Sequence, residues 1–171
     1  MLFRSETIGL APDRAAVILS GDVATAVVGR ELLGRSFDGH GASIDGLPDP
    51  VGEAVRPLTG APINPVRRAP PRDFIETGIS AIDAMNTLVR GQKLPVFSGP
   101  GLPGLAIAAQ IVEWARAPHG EPFAVVFAAI GITARETQEF AERIRASGAL
   151  SRTVLFLNEA SHPAVERLLA P

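Results

Sequence analysis

The chain has 171 residues, of which 46% are hydrophobic and 20% charged, with a formal net charge of −2. That length carries one ordinary domain or pieces of two, and the balance is that of a folded chain rather than a disordered one. The small negative charge argues against a broad electrostatic grip on nucleic acid or an anionic membrane, and the absence of cysteine excludes disulfides, thiolate metal sites and a cysteine nucleophile.

Residues Met1–Leu10 include Arg4 and Glu6 and lack the long apolar core of a signal peptide. Ala15–Leu19 and Ala24–Val28 read as short strands around a Gly21-Asp22 turn, and His40-Gly41 and Asp45-Gly46 mark further turns. From Leu47 to Arg72 the prolines Pro48, Pro50, Pro57, Pro62, Pro65, Pro70 and Pro71 follow one another. Each fixes its own φ and pushes the preceding residue toward extended geometry, so an extended connector is expected there.

The grammar changes near Asp73. Ile79, Ile82, Met85 and Leu88 have helical spacing, with Gly91 as the stop. Lys93–Phe97 is a strand candidate, Ser98–Gly104 a Gly/Pro loop, and Leu105–Ala117 a helix apolar on most faces, hence expected to be buried. The continuous apolar run Phe123–Ile130 reads as a strand covered on both faces of a parallel sheet. It is too short to span a bilayer as a helix, which needs about 20 residues. Thr133 and Glu136 form a capping-box pattern that opens a helix carrying Phe140, Ala141 and Ile144, with Gly148 at its end. Thr153–Leu157 is a further strand and Pro163–Leu169 a further helix. The alternation predicts an α/β fold with a parallel sheet, right-handed crossovers and helices on both faces.

A strand, a glycine loop and a helix form the setting of a P-loop, whose working motif is GxxxxGK[ST]. Gly99 and Gly104 have that spacing, but Leu105 and Ala106 follow where Lys and Ser/Thr are required. The lysine reaches the β- and γ-phosphates and the hydroxyl holds Mg²⁺, so neither role can be filled. Pro100 and Pro103 also remove two backbone donors. The helix start still offers the positive end of a dipole. On spacing alone two readings stand: an ordinary strand-to-helix turn, or a degenerate nucleotide loop in which Ser98, Gly99, Gly101 and Gly104 contact ATP or ADP weakly.

Longer stretches add to this reading. Phe74–Pro103 (FIETGISAIDAMNTLVRGQKLPVFSGPGLP), Phe123–Thr133 (FAVVFAAIGIT) and Gly148–Asn158 (GALSRTVLFLN) closely resemble the B subunit of V-type and archaeal A-type ATPases. So do Leu33–Gly46 (LGRSFDGHGASIDG) and Gly60–Pro65 (GAPINP). The likeness covers about residues 8–171. It implies a non-catalytic subunit: catalytic relatives keep the Lys-Thr pair and place a water-orienting glutamate directly after the strand, where Ile132 stands here. Pro100 replaces a usual serine, and Gly104 a larger or polar residue.

The resemblance further implies a remnant of an N-terminal β-barrel over 1–32, an extended connector over 33–72, and the first half of a RecA-like nucleotide-binding domain over 73–171. The family pattern continues past Pro171, and Met1–Ser5 fall outside it, as in a piece cut from a longer subunit. The implied partners are catalytic A subunits alternating with this one in a hetero-hexameric ring, together with central-stalk and peripheral-stalk subunits, at the cytoplasmic face of a membrane. Neither nucleic acid nor membrane insertion is implied, and no cofactor is required. The alternatives are an independent NTPase with an atypical P-loop, or a gene fragment without function of its own.

Other candidates have plainer readings. His40, His119 and His162 are scattered without metal-ligand spacing and read as solvated loop histidines. Arg67, Arg68 and Arg72 read as a solvated face or a subunit contact. Asp83 is expected to make a local structural hydrogen bond, Trp114 to pack, and Glu139 to pair with Arg143 along one helix.

Overall fold

The computed structural model describes residues 21–60 and 62–171, together with Ala11, Asp13, Arg14, Ala16 and Ile18. The expected strand Ala15–Leu19 therefore falls largely outside the described residues, as does Met1–Ser5. In chain order the elements are β1 (Thr25–Val28), β2 (Ser36–Phe37), β3 (Ala54–Pro57), β4 (Phe74–Ile75), α1 (Ser80–Met85), β5 (Leu88–Val89), α2 (Gly104–Trp114), β6 (Val125–Ile132), α3 (Ala134–Ala146), β7 (Thr153–Glu159) and α4 (Glu166–Leu169).

The central sheet is parallel and runs β2-β7-β6. The apolar runs that read as strands form its two long members, with Val125 opposite Thr153 and Ile130 opposite Asn158. The register slips between Ile130 and Ile132, where Gly131 takes a φ of 72°. The crossover from β6 to β7 is α3. Thr133 opens α3 as expected: its hydroxyl accepts the Glu136 N–H at 3.2 Å, and Glu136 Oε2 accepts the Thr133 N–H at 2.8 Å. Gly148, at φ 77°, ends it.

One face of the sheet carries the core. Leu155 and Leu157, two apart on β7, point to the same side and meet Ala109 and Val112 of α2 and Phe140 and Ile144 of α3. The rings of Phe127 and Phe140 stack with centroids 4.1 Å apart. The opposite face is bordered by β1, Leu169 and Ala170, which with Val126, Ala128 and Phe156 line an open groove.

Several expectations are corrected. The run Phe123–Ile130 is not covered on both faces: exposure alternates along β6, and Val126 is 68% exposed. Lys93–Phe97 is not a strand. It pairs with no strand among the described residues and Phe97 is 92% exposed; apolar composition without a ladder partner does not hold extended backbone in place. The helix foreseen over Ile79–Leu88 closes at Met85, because Leu88 and Val89 instead pair antiparallel with Ile75 and Phe74. Helix α2 stops at Trp114 rather than Ala117, since Arg116 exchanges backbone hydrogen bonds with Glu76 at 2.9 and 3.1 Å. It is buried only at Ala109 and Val112.

Within 33–72 two segments are paired strands rather than free connector. Ser36–Phe37 join the central sheet beside Leu155 and Phe156, and Ala54–Pro57 pair antiparallel with Thr25–Val28. The guanidinium of Arg35 holds the next turn together through Asp45, at 2.5 and 3.0 Å.

Candidate functional site

The loop Ser98–Gly104 lies at the start of α2, whose first residue is Gly104. Its shape follows from its glycines and prolines. Gly101 takes a φ of 80°, a left-handed conformation that glycine adopts without penalty. A Cβ added at Gly104 would lie 2.5 Å from Ser98 Oγ and 3.2 Å from Ser98 Cβ, so a side chain there requires the serine hydroxyl to turn away. The structure thus brings Ser98 and Gly104 together, with Gly99 and Gly101 on the exposed arc between them.

The loop offers few donors to an anion. Pro100 and Pro103 have no N–H. The Leu102 N–H is used by the Gly99 carbonyl at 3.1 Å, and the Gly104 N–H by the Leu102 carbonyl at 2.8 Å. The amides of Ala106 and Ile107 both go to the Pro103 carbonyl. In a working P-loop the backbone N–H groups converge on phosphate; here several of them close the loop on itself.

The side chains after the loop serve packing. Leu105 is half-buried against the core formed by Ala109, Phe140 and Ile144, whereas Ala106 is exposed. A cleft of about 290 Å³ beside the loop is lined by Leu102, Leu105, Phe140, Glu136, Glu139 and Arg143 among others. Two of those residues are acids. Glu136 is held below the ordinary carboxylate range by the Thr133 N–H and hydroxyl, so it presents a negative charge. Arg143 is drawn off by Glu113 of α2 in a two-pronged ion pair at 2.5 and 2.8 Å. A polyphosphate entering this cleft would meet carboxylates, and the arginine in its lining is already committed.

Ile132 ends β6 directly before the cap residue Thr133. Its side chain packs on the core and its carbonyl accepts the Ala160 N–H at 2.7 Å. An aliphatic group at this strand end can neither orient a water nor take up a proton. Among the described residues no three acidic or histidine side chains are placed to hold a metal ion. At their three positions Leu105, Ala106 and Ile132 present no ammonium, hydroxyl or carboxylate group.

Residues outside the loop sort differently. Asp83 plays the structural part expected of it: its carboxylate accepts the Thr77 N–H and hydroxyl at 2.9 and 2.7 Å and the Gly78 N–H at 3.0 Å. Those bonds, the Thr77 hydroxyl first, lower its pKa. Trp114 packs its Cβ against Gly78 while remaining 57% exposed. The expected Glu139–Arg143 pair is replaced by Glu139 with Arg135 and Arg143 with Glu113. The inter-helix pair needs α2 to lie against α3, which no spacing within one helix reveals. His119 stands apart, but His40 and His162 are not scattered: both imidazoles approach Glu166.

Comparison with known proteins decides the family. Residues 78–171, more than half the chain, match the ATP synthase alpha/beta family, nucleotide-binding domain. The chain belongs to the ATP synthase alpha/beta family. Within that family it is 60% identical over 166 residues to the V-type ATP synthase beta chain of Anaeromyxobacter sp. (strain K), and 54% identical over 174 residues to that of Thermus thermophilus. Each alignment covers 97% of this chain but only 35% and 36% of the relative, so the chain spans about a third of the length of these curated relatives. A solved structure described as a unique ATP synthase subunit, NeqB, from Nanoarcheaum equitans superposes with a TM-score of 0.71 at 29% identity, covering 86% of this chain and 35% of that one. The matched segment of the family starts at Gly78 and includes the loop, β6 and β7, so Leu105, Ala106 and Ile132 stand in a nucleotide-binding frame.

Proposed function

We propose that the chain is part of the non-catalytic B subunit of a V/A-type rotary ATPase, proton- or sodium-translocating, that makes or consumes ATP. In this reading it alternates with catalytic A subunits in a hetero-hexameric ring at the cytoplasmic face of a membrane, attached through stalk subunits, and helps complete their ATP sites. The observation that carries the proposal is the loop itself: a P-loop setting in which Leu105 packs into the core, Ala106 has no hydroxyl, and Ile132 stands at the strand end. The likeness to V-type ATP synthase beta chains supports the same reading.

The remaining domain assignments follow from it. Residues 1–32, which include β1, are then the remnant of an N-terminal barrel, residues 33–72, which include β2 and β3, connect it to the central domain, and 73–171 make the first half of that domain. Ser98, Gly99, Gly101 and Gly104 give at most weak contact with ATP or ADP. Among the described residues no helix is long and apolar enough to cross a membrane; in this reading membrane attachment runs through partners.

Co-expression with the catalytic subunit from the same genome tests the assignment. The full-length form of this subunit is expected to co-purify with it as a ring-sized species. A full-length form that stays monomeric beside that partner would contradict the proposal.

A further inference from the structure

Helix α2 ends where Arg116 turns its backbone away. A continued helix would give the Arg116 N–H to the Val112 carbonyl; it goes instead to the Glu76 carbonyl at 2.9 Å. Arg152, directly before β7, supplies the missing donor. Its Nη2 bonds the Val112 and Glu113 carbonyls at 3.1 and 2.9 Å, and its guanidinium carbon lies 5.0 Å from the centre of the Phe123 ring. Its Nε is buried and has no acceptor among the described residues. None of the ion pairs among those residues involves Arg152 or Arg116.

A cleft of about 600 Å³ opens at this end of α2, within the range of about 300–1,000 Å³ usual for small-ligand sites. Glu113, Trp114, Arg116, Arg143, Ser147 and Arg152 line it with two alanines. The charges of that lining do not cancel. Glu113 is taken by Arg143, which leaves the guanidinium groups of Arg116 and Arg152 in excess. Arg116 is exposed, with only its backbone engaged. The acids of neighbouring elements lie outside this lining: Glu76 and Glu121 border the adjoining cleft on the Phe123 side, and Glu121 pairs with Arg90. One wall is Trp114, 57% exposed.

We propose that this cleft binds a small phosphate-bearing anion, gripped by Arg116 and Arg152 beside the Trp114 ring. The planar fork of a guanidinium matches phosphate oxygens two at a time. Two uncompensated cations suit a phosphate group, which carries about −1.5 to −2 near neutral pH; a single carboxylate balances only one of them. Pinned by two carbonyls, Arg152 is held in place before any ligand arrives, which lowers the ordering cost of binding. The cleft lies at the opposite end of α2 from Ser98–Gly104, about 16 Å away by the rise of the helix. It therefore works independently of the degenerate loop, and whether or not the chain acts as a rotary ATPase subunit.

Trp114 is the chain's one tryptophan, so its fluorescence reports on this cleft alone. Titration of the folded chain with inorganic phosphate, at ionic strength held constant with chloride, is expected to give a saturable change in that fluorescence, with matching heat in a calorimeter. Arg116→Ala removes an exposed side chain and leaves the fold intact; it should weaken binding by about tenfold, the loss of one charge-assisted contact. Arg116→Glu should abolish binding. Acetate at the same ionic strength should give no saturable response. A phosphate titration with neither a saturable fluorescence change nor heat, a response that survives in Arg116→Glu, or an equal response to acetate, which would make the cleft a dock for carboxylates, would overturn the proposal.

Discussion

Arg35 and Asp45 form an ion pair whose side chains are only 14% and 16% exposed. The Arg35 guanidinium first, opposed by burial and joined by the amides of Leu47 and Ser36, lowers the Asp45 carboxyl to about 2. An unfolded aspartate titrates near about 3.9. The stability this group contributes is therefore present above about pH 4 and lost as the pH falls toward 2, amounting to on the order of 2 kcal/mol. Acid unfolding of Asp45→Asn should show that much less stability near neutral pH and a flatter slope below about pH 4; an unchanged slope would remove Asp45 from the account. Gly78 is a second sensitive residue. Its φ of 74° and the Trp114 Cβ 2.8 Å from an added methyl leave no place for alanine. Gly78→Ala should cost about 1–3 kcal/mol in denaturant melts.

At the scale of elements, local chemistry and pairing partners divide the structure between them. Helix α3 is written in its own residues: the Thr133–Glu136 box at one end, Gly148 at the other, and Phe140 and Ile144 four apart for the core. Thr133→Ala should lower stability by about 1 kcal/mol, read as a fall in melting temperature without loss of the fold. Helix α3 and strands β6 and β7 were legible in the sequence for that reason. Lys93–Phe97 was not, because strand formation depends on a neighbour, and none pairs with it among the described residues. The truncation of α1 has the same cause: Leu88 fits the helical stripe, yet its backbone pairs with Ile75. That no lysine or hydroxyl follows the loop is plain from Leu105 and Ala106 themselves. The loop's self-bonded amides and the capture of Arg143 by Glu113 needed the packing of α2 on α3. The meeting of His40 and His162 at Glu166 likewise depends on β2 lying beside β7.

At the scale of the whole molecule, the sheet lies in the segment that matches a nucleotide-binding domain, and in the proposed reading packing has taken the place of its chemistry. Leu105 illustrates the exchange, since the position that carries a phosphate-binding lysine in working loops here adds to the apolar core. Installing the missing groups by Leu105→Lys/Ala106→Thr should therefore not create an ATPase, because Ile132 still offers no base. It should also destabilise the chain by about 1–2 kcal/mol through loss of the leucine's contacts. Substantial hydrolysis by that double variant would show that Ile132 is not disabling.

The central claim is that the nucleotide frame is catalytically silent, and phosphate release from the purified, folded native chain in the presence of Mg-ATP tests it most directly. The account predicts no release above background. Steady turnover that disappears when Gly99 or Gly104 is substituted would contradict it and make the chain an NTPase with an atypical loop.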